Sequence, residues 1–131
     1  MEVTDHKVVS MLNNCREVAP ILSQVGDKWT VLVIMLLRHG PRRFNDIKRH
    51  VTGISQQMLT RTLKALDRDG MVIRTTFPTN PPQVQYELSA LGQSLAVPIL
   101  ALGSWVQEHI AEINAARVTY DLKTNQALLS A

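Results

Sequence analysis

Four clusters of glycine, proline and small polar residues interrupt the middle of this 131-residue chain. Proline cannot continue a helix, and glycine readily takes the left-handed backbone conformation in which many helices end. The clusters therefore fix where regular structure must stop, which limits the fold more than any other feature. They lie at residues 39–41, 52–54, 69–70 and 78–82.

The segment before the first cluster and the segments between the first three clusters predict helices. Asp27 is a good N-cap for the apolar stretch from Trp29 to Leu37, because its carboxylate can accept a hydrogen bond from an unpaired backbone N–H. A short helix is expected from about Phe44 to His50. Ser55 then caps a longer helix, which ends at Asp69-Gly70.

The remaining segments predict a hairpin and two flanking helices. The residues before the proline-rich loop suit a strand, and those after it (83–88) alternate between apolar and polar, so two strands flank the loop. A short helix is expected upstream, over residues 17–25. Ser89 caps a long helix that continues to about Ile113, and residues 114–131 predict a short helix or a mobile tail.

A short helix, a three-residue break, a longer helix and a hairpin follow one another in the order of a winged helix-turn-helix. In that motif the second helix enters the major groove of DNA, and the hairpin lies beside it as the wing. The predicted fold class is mainly α with a small β-hairpin wing, in one domain that dimerises through its terminal helices. Its predicted parts are an N-terminal extension (1–14), the winged helix-turn-helix core (15–88), a dimerisation helix (89–113) and a tail (114–131).

Basic charge is concentrated in the middle of the sequence. The chain has 14 Lys and Arg against 11 Asp and Glu, a net charge of +3. Between Arg38 and Arg74 there are nine basic and three acidic residues, so this window alone carries +6. A basic middle with nearly neutral ends is typical of a module that faces a polyanion and packs through its ends.

The helix that follows Ser55 has one apolar face and one face that is mostly basic, amide or hydroxyl. Arg can contact guanine with two hydrogen bonds, and Gln can do the same with adenine. Any surface helix also has a polar face, so an ordinary solvated face is the alternative. The residues nearest the helix N-terminus are the expected base contacts: Gln56, Gln57, Thr60 and Arg61.

A second set of polar residues suits the sugar-phosphate backbone, whose contacts position a protein on DNA without reading sequence. Asn80, in the proline-rich loop, is expected to reach the adjacent minor groove as part of the wing. The expected phosphate contacts are Arg42, Arg43, Ser55, Lys64 and Arg68. Lys48 and Arg49, on the short helix before Ser55, also suit phosphate positioning.

The last long helix is apolar on more than one side. Leu91, Leu95, Leu102 and Trp105 belong to a set that recurs in alternating steps of four and three. A helix with two apolar faces must bury both, and a domain this small rarely encloses a helix completely. We therefore predict a homodimer with these four residues at its interface. A central helix enclosed within a monomer is the alternative.

Other functional classes lack the residues that they need. The four histidines are scattered and there is one cysteine, so no metal site is expected. The sequence has no glycine-rich phosphate loop and no nucleophile motif, so we expect no enzyme activity and no cofactor. No apolar run approaches the roughly 18–20 residues of a membrane span, and the N-terminus does not resemble a signal peptide. We expect no membrane association.

Several separated segments resemble the HxlR-type transcriptional regulators, small bacterial winged-helix proteins related in fold to the MarR group. The resemblance runs from about Cys15 to Trp105, with segments in matching order and spacing. The family usually has proline after the cysteine, where this chain has Arg16. The matching segments are residues 26–29, 40–47, 53–60, 66–72 and 81–88, followed by Leu91-Gly92.

The resemblance implies a cytoplasmic, homodimeric regulator that binds double-stranded DNA, associated with the bacterial nucleoid when bound. Two recognition helices about one turn of DNA apart imply an inverted-repeat operator. Members of the family commonly respond to electrophiles, quinones, aldehydes or oxidants. Cys15 is therefore the candidate redox sensor, and a small electrophile or quinone is the candidate effector.

Two other interpretations fit the same residues. The polar helix face could meet an acidic protein patch, in a winged-helix interaction module that does not read DNA. Against this, Arg, Lys and Gln are dense on that face and no acidic residues alternate with them. Alternatively, the regulator could respond to a ligand in a pocket at the dimer cleft, with Cys15 as a structural residue.

Overall fold

A computed structural model of the chain describes residues 4–130, which form six helices and three strands. The first three residues of the predicted extension and the last residue of the predicted tail lie outside the described residues. The helices are α1 (His6–Asn13), α2 (Cys15–Val25), α3 (Lys28–Leu37), α4 (Phe44–His50), α5 (Gln56–Arg68) and α6 (Ala90–Ser130). The strands are β1 (Arg42–Arg43), β2 (Val72–Phe77) and β3 (Gln83–Leu88).

Side-chain caps begin three helices at the predicted positions. The Asp27 carboxylate accepts hydrogen bonds from the first turn of α3. The Ser55 hydroxyl accepts a 3.1 Å bond from the N–H of Met58, and the Ser89 hydroxyl accepts one of 3.1 Å from Gly92. Each cap satisfies an N–H that has no partner inside its helix. The predicted starts of α3, α5 and α6 are therefore confirmed.

The helix-turn-helix is formed by α4 and α5, and its inner side is the core of the protein. Gly53, in the turn between the two helices, has a φ of +88°, a conformation that other residues rarely adopt. α5 contacts both α3 and β2. The side chains from α3, α4 and α5 that are at most 1% exposed are Thr30, Val33, Ile34, Leu37, Ile47, Leu59, Leu63 and Leu66.

The predicted hairpin is present, and a third strand joins it. β2 and β3 pair antiparallel along all six residues of each strand. β1 pairs with the other edge of β3, which places Arg42 opposite Tyr86 and Arg43 opposite Gln85. A strand of two residues has no alternation that a sequence could reveal, so β1 was not predicted. It connects the start of α4 to the wing.

Two helices extend beyond their expected bounds. α2 begins at Cys15, two residues before its expected start, so Pro20 lies beyond the first turn of the helix. α6 continues to Ser130, so the predicted end near Ile113 is wrong and the described tail is helical. Residues 114–130 contain no glycine or proline, so nothing in that segment stops a helix once it has started.

Contacts between residues divide the chain into two compact units, with the boundary after Ala96. The second unit is the rest of α6, which exposes many apolar side chains. By length and composition α6 could cross a membrane, because an 18-residue window has a mean hydropathy of 1.2. α2 and α3 pass the same test as a pair, across a 65° bend. Helices that pack against protein also pass it, so this is weak evidence for a membrane span.

Gly92 supplies a test of the packing at the start of α6. A Cβ atom added at Gly92 would overlap the carbonyl oxygen of Met71. Replacing glycine with alanine inside a helix normally stabilises it by about 0.5–1 kcal/mol. Here we expect Gly92→Ala to lower the free energy of unfolding by roughly 1–3 kcal/mol, because two backbone segments must separate.

Urea denaturation of the purified protein measures this change. Gln93→Ala, at an exposed neighbour in the same helical turn, is the control and should change stability by less than about 0.5 kcal/mol. A Gly92→Ala protein more stable than wild type would contradict the close packing.

Candidate nucleic-acid interface

The outer face of α5 carries the four residues predicted to contact bases. Gln56, Gln57 and Arg61 are exposed, and Thr60 is half-buried. These four and Lys64 line one shallow surface depression. Because the opposite face of α5 is buried in the core, these side chains project from a rigid support.

The N-terminus of α5 adds a favourable site for an anion. Ser55 is exposed, and its hydroxyl oxygen is occupied as the acceptor from Met58. Its O–H group remains able to donate to a phosphate. The partial positive charge at the start of a helix favours an anion there.

A cleft of about 560 Å³ separates α5 from the wing. Phe44, Leu63, Val84 and Tyr86 form its apolar lining. Its polar lining combines amide, hydroxyl, basic and acidic side chains, so the cleft can accept a ligand with hydrogen-bonding groups. The polar lining residues are Gln56, Thr60, Lys64, Asp67 and Arg74.

Arg74 lines the cleft, although the sequence alone predicts no functional role for it beyond its basic charge. It lies on β2 opposite Tyr86, is exposed, and donates a 3.4 Å hydrogen bond to the hydroxyl of Thr76. It supplies a second cation beside Lys64, from the wing instead of the helix. The register of the hairpin is the signal for this position, because it places Arg74 opposite Tyr86, which also lines the cleft.

Arg42 is less accessible than its predicted role in phosphate contact suggests. Its side chain is 27% exposed, and its Nη1 donates to a carboxylate oxygen of Asp46 at 2.8 Å. Its Nε is buried and has no hydrogen-bond partner within residues 4–130. Arg49 donates to the other carboxylate oxygen of Asp46 at 3.0 Å. The guanidinium of Arg42, followed by that of Arg49, holds the pKa of Asp46 below its ordinary value.

The other predicted contacts lie at the periphery of this surface. Arg43 ends β1, Arg68 ends α5 and Asn80 lies in the loop between β2 and β3, and all three are exposed. Cys15, the first residue of α2, is also exposed, so its thiol is open to solvent. Among residues 4–130, no group of three or more His, Cys, Asp or Glu side chains is arranged to hold a metal ion.

The residues predicted for a dimer interface lie along α6. Leu91, Leu102 and Trp105 are each at least half exposed, and Leu95 is half-buried. The Trp105 ring stacks on that of His109, with centroids 4.4 Å apart. Large apolar side chains exposed in this way favour a protein partner.

Comparison with known proteins supports the same interpretation of the fold. The model of the HxlR-like helix-turn-helix family matches residues 24–114. YtfH of Escherichia coli, described as an uncharacterized HTH-type transcriptional regulator, is 37% identical over 97 residues. The match covers 74% of this chain and 77% of that protein.

Two solved structures extend the comparison. The ytfH protein of Salmonella typhimurium has a TM-score of 0.73 and 35% identity, over 77% of this chain and 90% of that one. The redox regulator HypR in its oxidized form has a TM-score of 0.65 and 33% identity. That match covers 70% of this chain and 94% of HypR.

Proposed function

Because the chain belongs to the HxlR-like helix-turn-helix family of transcriptional regulators, we propose that it binds an operator as a homodimer and reads it with α5. The family and the relatives that match are transcriptional regulators and not enzymes. A regulator of transcription works beside the chromosome, in the bacterial cytoplasm. The exposed basic and amide face of α5 is the single observation that carries the proposal.

The assignment of roles on α5 follows from position and chemistry. Gln56, Gln57, Thr60 and Arg61 lie in the first two turns, which enter the major groove in this motif. Their amide, hydroxyl and guanidinium groups match base edges, whereas the single ammonium of Lys64 suits a phosphate. Arg42, Arg43, Ser55 and Arg68 supply further backbone contacts on one protomer. Asn80 in the wing lies beside the adjacent minor groove.

Arg61 and Lys64 distinguish reading of sequence from attraction to charge. We expect Arg61→Ala to cost about 1–3 kcal/mol on the operator and to relax specificity at one base pair in each half-site. Lys64→Ala should weaken binding to all sequences alike and reduce the salt slope by about one. Titration of both variants against an operator duplex and its single-base-pair variants measures the difference.

Equal losses on every sequence for Arg61→Ala would remove its role in base reading. Binding to an acidic protein with no affinity for duplex DNA would favour the interaction-module alternative.

The homodimer is proposed from the exposed apolar residues of α6. Leu91, Leu95, Leu102 and Trp105 recur in helical steps that keep them on one stripe. A two-fold dimer would present two copies of α5 about one helical turn of DNA apart, which requires an inverted-repeat operator.

Leu102→Asp tests this interface, since it places a charge on the proposed dimer stripe. We expect the dissociation constant of the dimer to rise roughly tenfold or more, as measured by sedimentation equilibrium. Val118→Asp is the matched control, because Val118 is 59% exposed against 54% for Leu102. It lies about 160° around the helix from Leu102. A Leu102→Asp protein as dimeric as this control would contradict the proposed interface.

Oxidant sensing is proposed for Cys15, with support from its exposure and from the similarity to HypR. Two Cys15 thiols, one from each protomer, can form a disulfide when an oxidant accepts two electrons and two protons. A quinone or another electrophile can instead add to one thiol. Either change can rotate the two recognition helices relative to each other, and half-site spacing makes binding sensitive to such a rotation.

Cys15→Ser separates this mechanism from one driven by a bound ligand. Diamide or a quinone should change the affinity of the wild-type protein for its operator and leave the affinity of Cys15→Ser unchanged. Fluorescence anisotropy before and after the oxidant, followed by reduction with dithiothreitol, measures the response. A Cys15→Ser protein that responds like wild type would exclude Cys15 as the sensor and favour a ligand at the dimer cleft.

A further inference from the structure

One acidic side chain occupies the centre of a basic cluster between β1 and the end of α4. One carboxylate oxygen of Asp46 accepts a 2.8 Å hydrogen bond from Arg42, and the other accepts one of 3.0 Å from Arg49. The ring of His50 lies 3.4 Å from the same carboxylate. Asp46 therefore connects a strand of the sheet to the last turn of the first helix of the motif.

A carboxylate at this position has an electrostatic cost on a surface that binds DNA. Phosphates attract the cations of such a surface and are repelled by its anions. Asp46 is one of the three acidic residues between Arg38 and Arg74. It is charged at neutral pH, as an aspartate ordinarily is, and its two arginine partners lower the pKa of its carboxyl group further. A carboxylate at this position must therefore make a favourable contribution that offsets its repulsion of phosphates.

The hydrogen bonds to Asp46 leave other N–H donors on both guanidinium groups, although the Nε of Arg42 is buried. A guanidinium has five N–H donors, and in each arginine the carboxylate engages a single nitrogen. The side chain of Arg49 is 76% exposed, so its remaining donors face solvent. Arg43, next to Arg42 in β1, is exposed as well. A long side chain that is already held in one orientation loses less conformational freedom when it meets a phosphate.

We infer that Asp46 is a positioning residue for DNA binding, whose carboxylate holds the guanidinium groups of Arg42 and Arg49 where the sugar-phosphate backbone meets them. This inference rests on the proposed function, because it takes this surface to bind DNA. It identifies the carboxylate that orients Arg49, whose place on the short helix already suits a phosphate contact. The hydrogen bond to Asp46 also fixes the orientation of the Arg42 guanidinium, which cannot be read from the sequence.

Asp46→Asn tests the inference through the sign of its effect. The substitution preserves shape and removes a negative charge, so long-range electrostatics alone would strengthen binding to DNA. The positioning role predicts the opposite, namely binding that is weaker by roughly three- to tenfold. The slope of log affinity against log salt concentration should also decrease, by up to the value expected for one phosphate contact. Anisotropy titrations with a random-sequence duplex at several salt concentrations suffice, because phosphate contacts do not depend on sequence.

Three further variants complete the comparison. Asp69→Asn removes an equal charge from an exposed residue with no ion pair among the described residues, and it should bind as tightly as wild type or more tightly. Asp46→Glu keeps the carboxylate and should retain the salt slope of the wild type. Arg49→Gln, at a highly exposed position, should weaken binding without unfolding the protein. Adding Asp46→Asn to it should weaken binding further, but by less than Asp46→Asn does alone, because only Arg42 then remains to be released.

The outcomes separate this inference from the function on which it rests. A wild-type protein that does not bind duplex DNA would overturn both. Wild-type binding with Asp46→Asn as tight as Asp69→Asn would overturn the positioning role alone. If Asp46→Asn does not fold, as judged by thermal unfolding, Arg49→Gln decides, and binding as tight as wild type would overturn the inference.

Discussion

Burial of one side of α5 is the interaction on which the rest of the structure depends. Leu59, Leu63 and Leu66 are at most 1% exposed, and fully burying a leucine stabilises a fold by about 1.5–3 kcal/mol. The same burial sets the rotation of the helix about its axis. Gln57 and Arg61 must then face outward, since each residue turns the helix by about 100°. The stability of the core and the presentation of the candidate reading surface are consequences of one packing arrangement.

The central elements were predictable because their signals are local. Ser55 and Asp27 cap helices from within a few residues, and the break at Gly53 is visible without tertiary information. β1 was missed because two residues become a strand only when they pair with β3, some forty residues later. The weak apolar patterning after Ile113 predicts an end for α6 that the structure does not have, because no glycine or proline stops the helix there.

The candidate site divides in the same way between local and tertiary information. The outer face of α5 follows from helical periodicity alone. The contribution of Arg74 requires the register of the hairpin, and the environment of Arg42 requires the ion pair with Asp46. Charge counted along a sequence does not distinguish a free cation from one that is already paired. The basic excess therefore predicts a polyanion partner, whereas the structure shows which of these cations are paired with a carboxylate.

Specific recognition of DNA by the outer face of α5 is the central claim, and one titration tests it most directly. Fluorescence anisotropy compares the reduced protein on duplex DNA from upstream of its own gene with a scrambled duplex, near physiological salt. Binding at least about 10³-fold tighter to the upstream DNA is the predicted result for a sequence-specific regulator. Equal, weak and steeply salt-dependent binding to both duplexes would contradict it, because a basic surface alone produces that behaviour.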